Sequence, residues 1–133
     1  MRFPSAPYDG RLSHTPMQSK EVRLVKYILL INVPTDVQAE ADMTERHMKF
    51  AEAAAARGKL VGGDQLADVT TATTLRRRSS ETIVTDGPHA ETKEYLGGYY
   101  IIDCADLDEA IEIAKGVPLN DGGSLEIRPI VER

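Results

Sequence analysis

The run Val84-Thr85-Asp86-Gly87-Pro88-His89-Ala90-Glu91-Thr92-Lys93-Glu94-Tyr95-Leu96-Gly97-Gly98-Tyr99-Tyr100-Ile101-Ile102-Asp103 passes from a turn through a polar loop into an apolar strand without a gap. Asp86-Gly87-Pro88 is turn chemistry: Asp bonds its own backbone, Gly accepts positive φ and Pro fixes its own φ. Ala90 to Glu94 is too polar for a core and too short for an independent helix, so it lies over a surface or lines a cleft. Leu96 to Ile102 reads as a strand whose glycines permit a bulge or the close approach of another backbone.

Outward from that strand, Asp106 reads as an N-cap with Glu109 three residues on. Leu107, Ala110, Ile111 and Ala114 share one face of the helix that follows, which stops at Gly116 before Pro118. Ser124 to Val131 is a last strand with Leu125 and Ile127 on one face and Glu126 and Arg128 on the other; Pro129 favours an edge or a bulge. Upstream, Lys26 to Val33 is almost continuously apolar, as in a central strand buried on both faces. Pro34 ends it. A helix running to Arg57 has two possible starts, Thr35 with Gln38 or Asp42 with Glu45, and Gly58 stands where a C′ glycine closes it. Leu60 to Leu66 reads as extended, and Ala72 to Arg78 with Glu81 to Thr85 forms a hairpin around Arg78-Ser79-Ser80-Glu81.

This order suits an α+β protein, a ferredoxin-like α/β sandwich with an inserted hairpin: two helices on one face of an antiparallel sheet. Helices can cover only one face, so a sheet apolar on both needs a partner for the other. Residues 1–25 carry Pro4, Pro7 and Pro16 with no helix or strand period and read as a flexible tail before a single domain over 26–133. Arg2, Arg11, Lys20 and Arg23 against Asp9 and Glu21 give the tail +2, which leaves −7 of the chain's net −5 on the body.

A chain of 133 residues with 41% hydrophobic content supports one core. Its acidic balance argues against nucleic-acid or anionic-membrane partners, which require a basic surface. Arg76-Arg77-Arg78 is short and lacks interleaved aromatics, so it reads as surface charge. The single cysteine, Cys104, excludes an intrachain disulfide and suits a reducing, cytoplasmic setting. No stretch approaches the ~18 apolar residues of a membrane span.

His47 is the leading chemical candidate, because Met43, His47, Phe50 and Ala54 share the helix face that should meet the sheet. It reads either as a general acid or base or as a hydrogen-bonded core histidine. A catalytic histidine needs an orienting group, for which Asp64 and Asp86 are the carboxylates at strand or loop ends; their bland readings are a solvated loop acid and an Asx-turn residue. Glu91, Lys93 and Glu94 could position a polar substrate or simply be solvated. Tyr99 and Tyr100 point to opposite faces, one toward a pocket and one toward the core. Arg128 could hold a carboxylate or pair with Glu126. His47, His89, Asp64 and Asp86 are suitable metal ligands in type, but no metal-ligand spacing joins them, so neither a metal nor another cofactor is expected.

The Val84 to Asp103 run resembles the signature of the DGPF branch of the YCII-related family, with His89 where relatives usually carry phenylalanine. That resemblance implies the ferredoxin-like fold in its dimeric α/β-barrel form, a homodimer whose sheets pack face to face. It also implies that His47, in register before Gly58-Lys59-Leu60, belongs to a His/Asp dyad, and that His89 adds either an imidazole to the site or a packing ring. Relatives usually begin with methionine near Val25, so a valine start there is an alternative origin of the tail. Dehydrochlorination in the wider family points to elimination or isomerisation of an unidentified small molecule. The branch's frequent location beside extracytoplasmic-function sigma factors points instead to a non-catalytic regulator or sensor.

Overall fold

A computed structural model describes residues 23–133. The tail expected over residues 1–25 lies almost wholly outside them. In chain order the elements are β1 (Val25–Pro34), α1 (Met43–Ala56), β2 (Leu60–Gln65), β3 (Thr73–Arg78), β4 (Glu81–Asp86), β5 (Glu94–Cys104), α2 (Leu107–Ala114) and β6 (Ser124–Pro129), with a short 3-10 turn at Val69–Thr71 before β3. The main sheet has the order β2-β5-β1-β6 with every pairing antiparallel, and β3-β4 is a separate hairpin. The fold is therefore α+β, two helices with antiparallel sheets, and its topology is compatible with the ferredoxin-like arrangement.

Both helices press on one face of the main sheet. Tyr27, Leu29 and Ile31 of β1 and Tyr100, Ile102 and Cys104 of β5 meet Ala110 and Ile113 of α2 in one buried cluster, with Phe50 of α1 packed against it. Burying a side chain such as Leu29 or Ile102, both fully inaccessible, contributes about 1.5–3 kcal/mol. β1 was expected to be buried on both faces, but its burial alternates. Tyr27, Leu29 and Ile31 are buried, whereas Ile28 and Leu30 on the opposite face remain half-buried beside Tyr99 and Ile101 of β5. Among the described residues no helix covers that side.

The local rules explain the element ends. Helix α1 takes the later of its two expected starts, with Asp42 at the N-cap position but without a side-chain cap bond. Arg46 instead pairs with Glu40 and Asp42 and ties the loop before the helix to its first turns. Helix α2 is capped at its N-terminus: Asp106 accepts from the Glu109 N–H, and Glu109 accepts from the Ala105 N–H while Lys59 bridges to it at 2.8 Å. The β5 glycines form the expected bulge. Ile31 pairs with Gly98 and Asn32 with Leu96, so Gly97 is the extra residue. At the hairpin exit Gly87 has φ +97°, and its N–H bonds the Ala72 carbonyl at 2.7 Å. Asp86-Gly87-Pro88 thus closes the base of the hairpin, as turn chemistry requires.

Candidate functional site

The bulge sets up a cavity. Where β1 and β5 change register, Asn32, Val33, Gly97 and Gly98 line the floor of a space of about 830 Å³. Met43, Thr44, His47 and Met48 of α1 form one wall, the end of β2 from Gly63 through Asp68 forms another, and Pro118, Leu119 and Asn120 close the end. The volume lies within the usual range for small-molecule sites, about 300–1,000 Å³. Glycine is needed on this floor: a Cβ on Gly97 would come 2.6 Å from a Val33 methyl, and one on Gly98 3.0 Å from the Asp64 carbonyl oxygen.

At the inner wall, His47 Nδ1 lies 2.8 Å from the Tyr100 hydroxyl. The two rings are 5.9 Å apart and nearly parallel, and Phe50 packs against the other part of Tyr100 at 4.9 Å. Burial and then the nearby Arg46 charge lower the His47 pKa below its ordinary value, while the Pro118 backbone carbonyl works the other way. Burial raises that of Tyr100. Near neutral pH this makes His47 a neutral imidazole and Tyr100 a protonated phenol, so the hydroxyl donates and Nδ1 accepts. A neutral base with a buried phenol on its lone pair is a proton-transfer pair that opens onto a cavity.

The residues singled out from the sequence divide between this site and elsewhere. His47, Asp64 and Tyr99 border the cavity, although Asp64 and Tyr99 are cross-strand partners whose side chains share the sheet face away from α1. Among the described residues, no carboxylate pairs with His47; its partner is Tyr100. Asp86 sits at the foot of the hairpin opposite Thr73 and is exposed, as are His89 and Glu91. The His89 carbonyl accepts from Arg76, so its backbone is engaged in holding the loop against the hairpin. Lys93 presents its carbonyl to the Thr35 N–H and hydroxyl, with its side chain exposed. Arg128 lies 4.0 Å from Glu126 on β6. These five residues lie outside the cavity within one chain.

Sequence reasoning placed Tyr100 and Tyr99 on opposite faces but did not assign Tyr100 to His47. That pairing joins residues 53 apart in the chain, and only the packing of α1 across β5 reveals it. Asn32, Gln65, Asp68 and Asn120 were also missed; they meet at this cavity from strand ends and loops. Cys104 is fully buried, and burial followed by the Glu109 charge pushes its thiol up to about 11. It is therefore a packing residue and not a nucleophile.

A family model of the YCII-related domain matches residues 25–133, which covers the whole main sheet, both helices and the hairpin. The chain belongs to the YCII-related family. It is also similar to Uncharacterized protein R00369 of Rhizobium meliloti (strain 1021), 44% identical over 97 residues that cover 71% of this chain and 75% of that protein. Family membership accounts for the elements that build the cavity and leaves the chemistry to be argued from the site. Among the described residues no helix is long and apolar enough to cross a membrane, and no cluster of potential metal-ligating side chains occurs.

Proposed function

We propose that this YCII-related protein, of the DGPF branch, binds a small organic molecule in the α1–β5 cavity and transfers a proton there in an elimination or isomerisation. The observation that carries the reading is the 2.8 Å contact between neutral His47 and the Tyr100 hydroxyl at the cavity wall. As a substrate C–H bond breaks, the phenol oxygen takes that proton while its own passes to Nδ1, leaving His47 as imidazolium beside the Pro118 carbonyl. The C–H electron pair becomes a C=C bond. In an elimination the leaving group departs with its own electron pair from the neighbouring carbon; in an isomerisation the existing double bond shifts and is protonated at its far end.

The functional unit is a homodimer joined through the open sheet face, the dimeric α/β-barrel arrangement. Half-buried Ile28, Leu30, Tyr99 and Ile101 on that face support it, since no helix of the described residues covers them. A second reading, a regulator or sensor that binds without turnover in a sigma-factor system, is favoured by a specific observation. No carboxylate of the described residues orients His47, whereas catalytic imidazoles are usually held by one.

The two readings separate on His47→Gln and Tyr100→Phe variants, assayed on any substrate found in a lyase and isomerase screen. Proton transfer predicts that each loses about 10²–10⁴-fold in kcat with ligand affinity largely kept. Full turnover by both variants would reject the pair as the catalytic group. A ligand bound but never converted, even by the wild type, would establish the sensor.

A further inference from the structure

Strand register decides which side chains face the cavity. Ile31 belongs to the core on the α1 side of the sheet, and alternation along β1 puts Val33, with its partner Tyr95, on that same face. At the end of β2, Gln65 lies opposite Gly98, which itself pairs with Ile31, so the Gln65 amide also belongs to the α1 face. Its neighbour Asp64 alternates to the other face, opposite Tyr99, which pairs in turn with Leu30. Asp68 is exposed and bonds the N–H and hydroxyl of Thr70. Arg46 does not border the cavity, and its guanidinium is held by Glu40 at 2.8 Å and by Asp42 at 3.7 Å. The polar side chains that the described residues bring to the α1 side of the cavity are therefore uncharged: Thr44, His47, Gln65, Tyr95 and Tyr100. Apolar groups of Ile31, Met43, Ala51 and Leu119 lie around them.

We infer that this cavity takes an uncharged organic molecule, its apolar body against Met43, Ala51 and Leu119 and a neutral hydrogen-bonding group beside Gln65 and Tyr95, and that it discriminates against carboxylates, phosphates and ammonium ions alike. An ion entering this space gives up its hydration and meets no opposite charge among the described residues on the α1 side. An amide and hydroxyls satisfy a neutral polar group without that cost. Burial acts on the protein's own groups in the same sense, favouring imidazole at His47 and phenol at Tyr100. The carboxylates of Asp64 and Asp68 stand in solvent, where water and salt screen them. The inference rests on the proposal that the cavity is a ligand site but not on proton transfer at His47.

The test uses three probes that share one body and differ in charge: 3-phenylpropanamide, 3-phenylpropionate and 3-phenylpropylammonium. Each is titrated into the full chain near neutral pH, and binding is followed by chemical-shift changes of the Gly97, Gly98 and His47 signals. The amide is expected to saturate these shifts and to give intermolecular NOEs from its ring to the Met43 methyl. Both ions are expected to bind roughly tenfold more weakly or worse, as uncompensated loss of hydration requires. Either ion binding as tightly as the amide would overturn the inference while leaving the cavity a ligand site. An amide that moves none of these signals, or whose ring gives no NOE to Met43, would overturn it as well. The same titrations on His47→Gln separate this inference from the catalytic reading. The replacement is also uncharged, so preference for the amide should persist there whatever becomes of turnover; its loss, in a variant whose thermal melt shows an intact fold, would overturn the inference.

Discussion

At the scale of single residues, the His47 environment has a consequence for stability. Burial lowers the His47 pKa in the folded protein, whereas the unfolded chain keeps the ordinary value of 6.5. Below 6.5 and down to the folded value, the unfolded state binds more protons, so stability falls as pH falls through that window. Above it both states are neutral and the contribution is constant. His47→Gln, a neutral side chain, is expected to flatten this part of the melting-temperature curve between about pH 7 and 5. Thermal melts of both proteins across that range check it, and parallel curves would mean that His47 is not the group responsible.

At the scale of elements, two adjacent glycines of β2 provide a contrast. A Cβ on Gly62 would have nothing within 4 Å, whereas one on Gly63 would lie 2.6 Å from the Tyr99 carbonyl and 2.7 Å from the Tyr100 ring. Gly63→Ala must therefore push β2 from β5 or displace the Tyr100 ring, at about 1–3 kcal/mol. Gly62→Ala should stay within about 0.5 kcal/mol. Urea denaturation of both variants reads the difference. Because the ring that yields is the partner of His47, Gly63→Ala should also shift the His47 titration, and Gly62→Ala should not. The edge strand thus contributes to the site by how closely it lets its neighbour approach.

At the scale of the whole molecule, the described residues cover one sheet face with helices and leave the other open. Ile28, Leu30, Tyr99 and Ile101 form the half-buried centre of the open face, with the Lys26–Asp103 ion pair beside them. Leu30→Asp would put a charge at the middle of a sheet-to-sheet interface and is expected to convert a dimer to a folded monomer in sedimentation equilibrium. A monomeric wild type would remove the dimer proposal altogether. The hairpin carries a second apolar surface. Leu75 and Val84 face each other across β3 and β4 and are 61% and 60% exposed, so the hairpin adds little to the main core.

Sequence periodicity and turn chemistry alone dictated most of the elements. The Asp106 cap, the Gly97 bulge, the hairpin around Ser79 and Ser80, and the edge position of β6 all follow from preferences within a few residues of chain. The start of α1 needed more, because Thr35 and Asp42 offer similar local signals and the later start accompanies the pairing of Arg46 with Glu40 and Asp42. At the site, the helical stripe through Met43, His47 and Phe50 was enough to single out His47. Its partner was not legible, since strand parity distinguishes Tyr99 from Tyr100 but says nothing of where α1 crosses the sheet. Helix docking decided that, bringing Nδ1 to a phenol rather than a carboxylate. It also left Asp86 and His89 at the hairpin base, outside the cavity. Local preferences act over one or two turns of chain, whereas a site gathered from α1, β2, β5 and the loop at Asn120 exists only after long-range packing has set their distances.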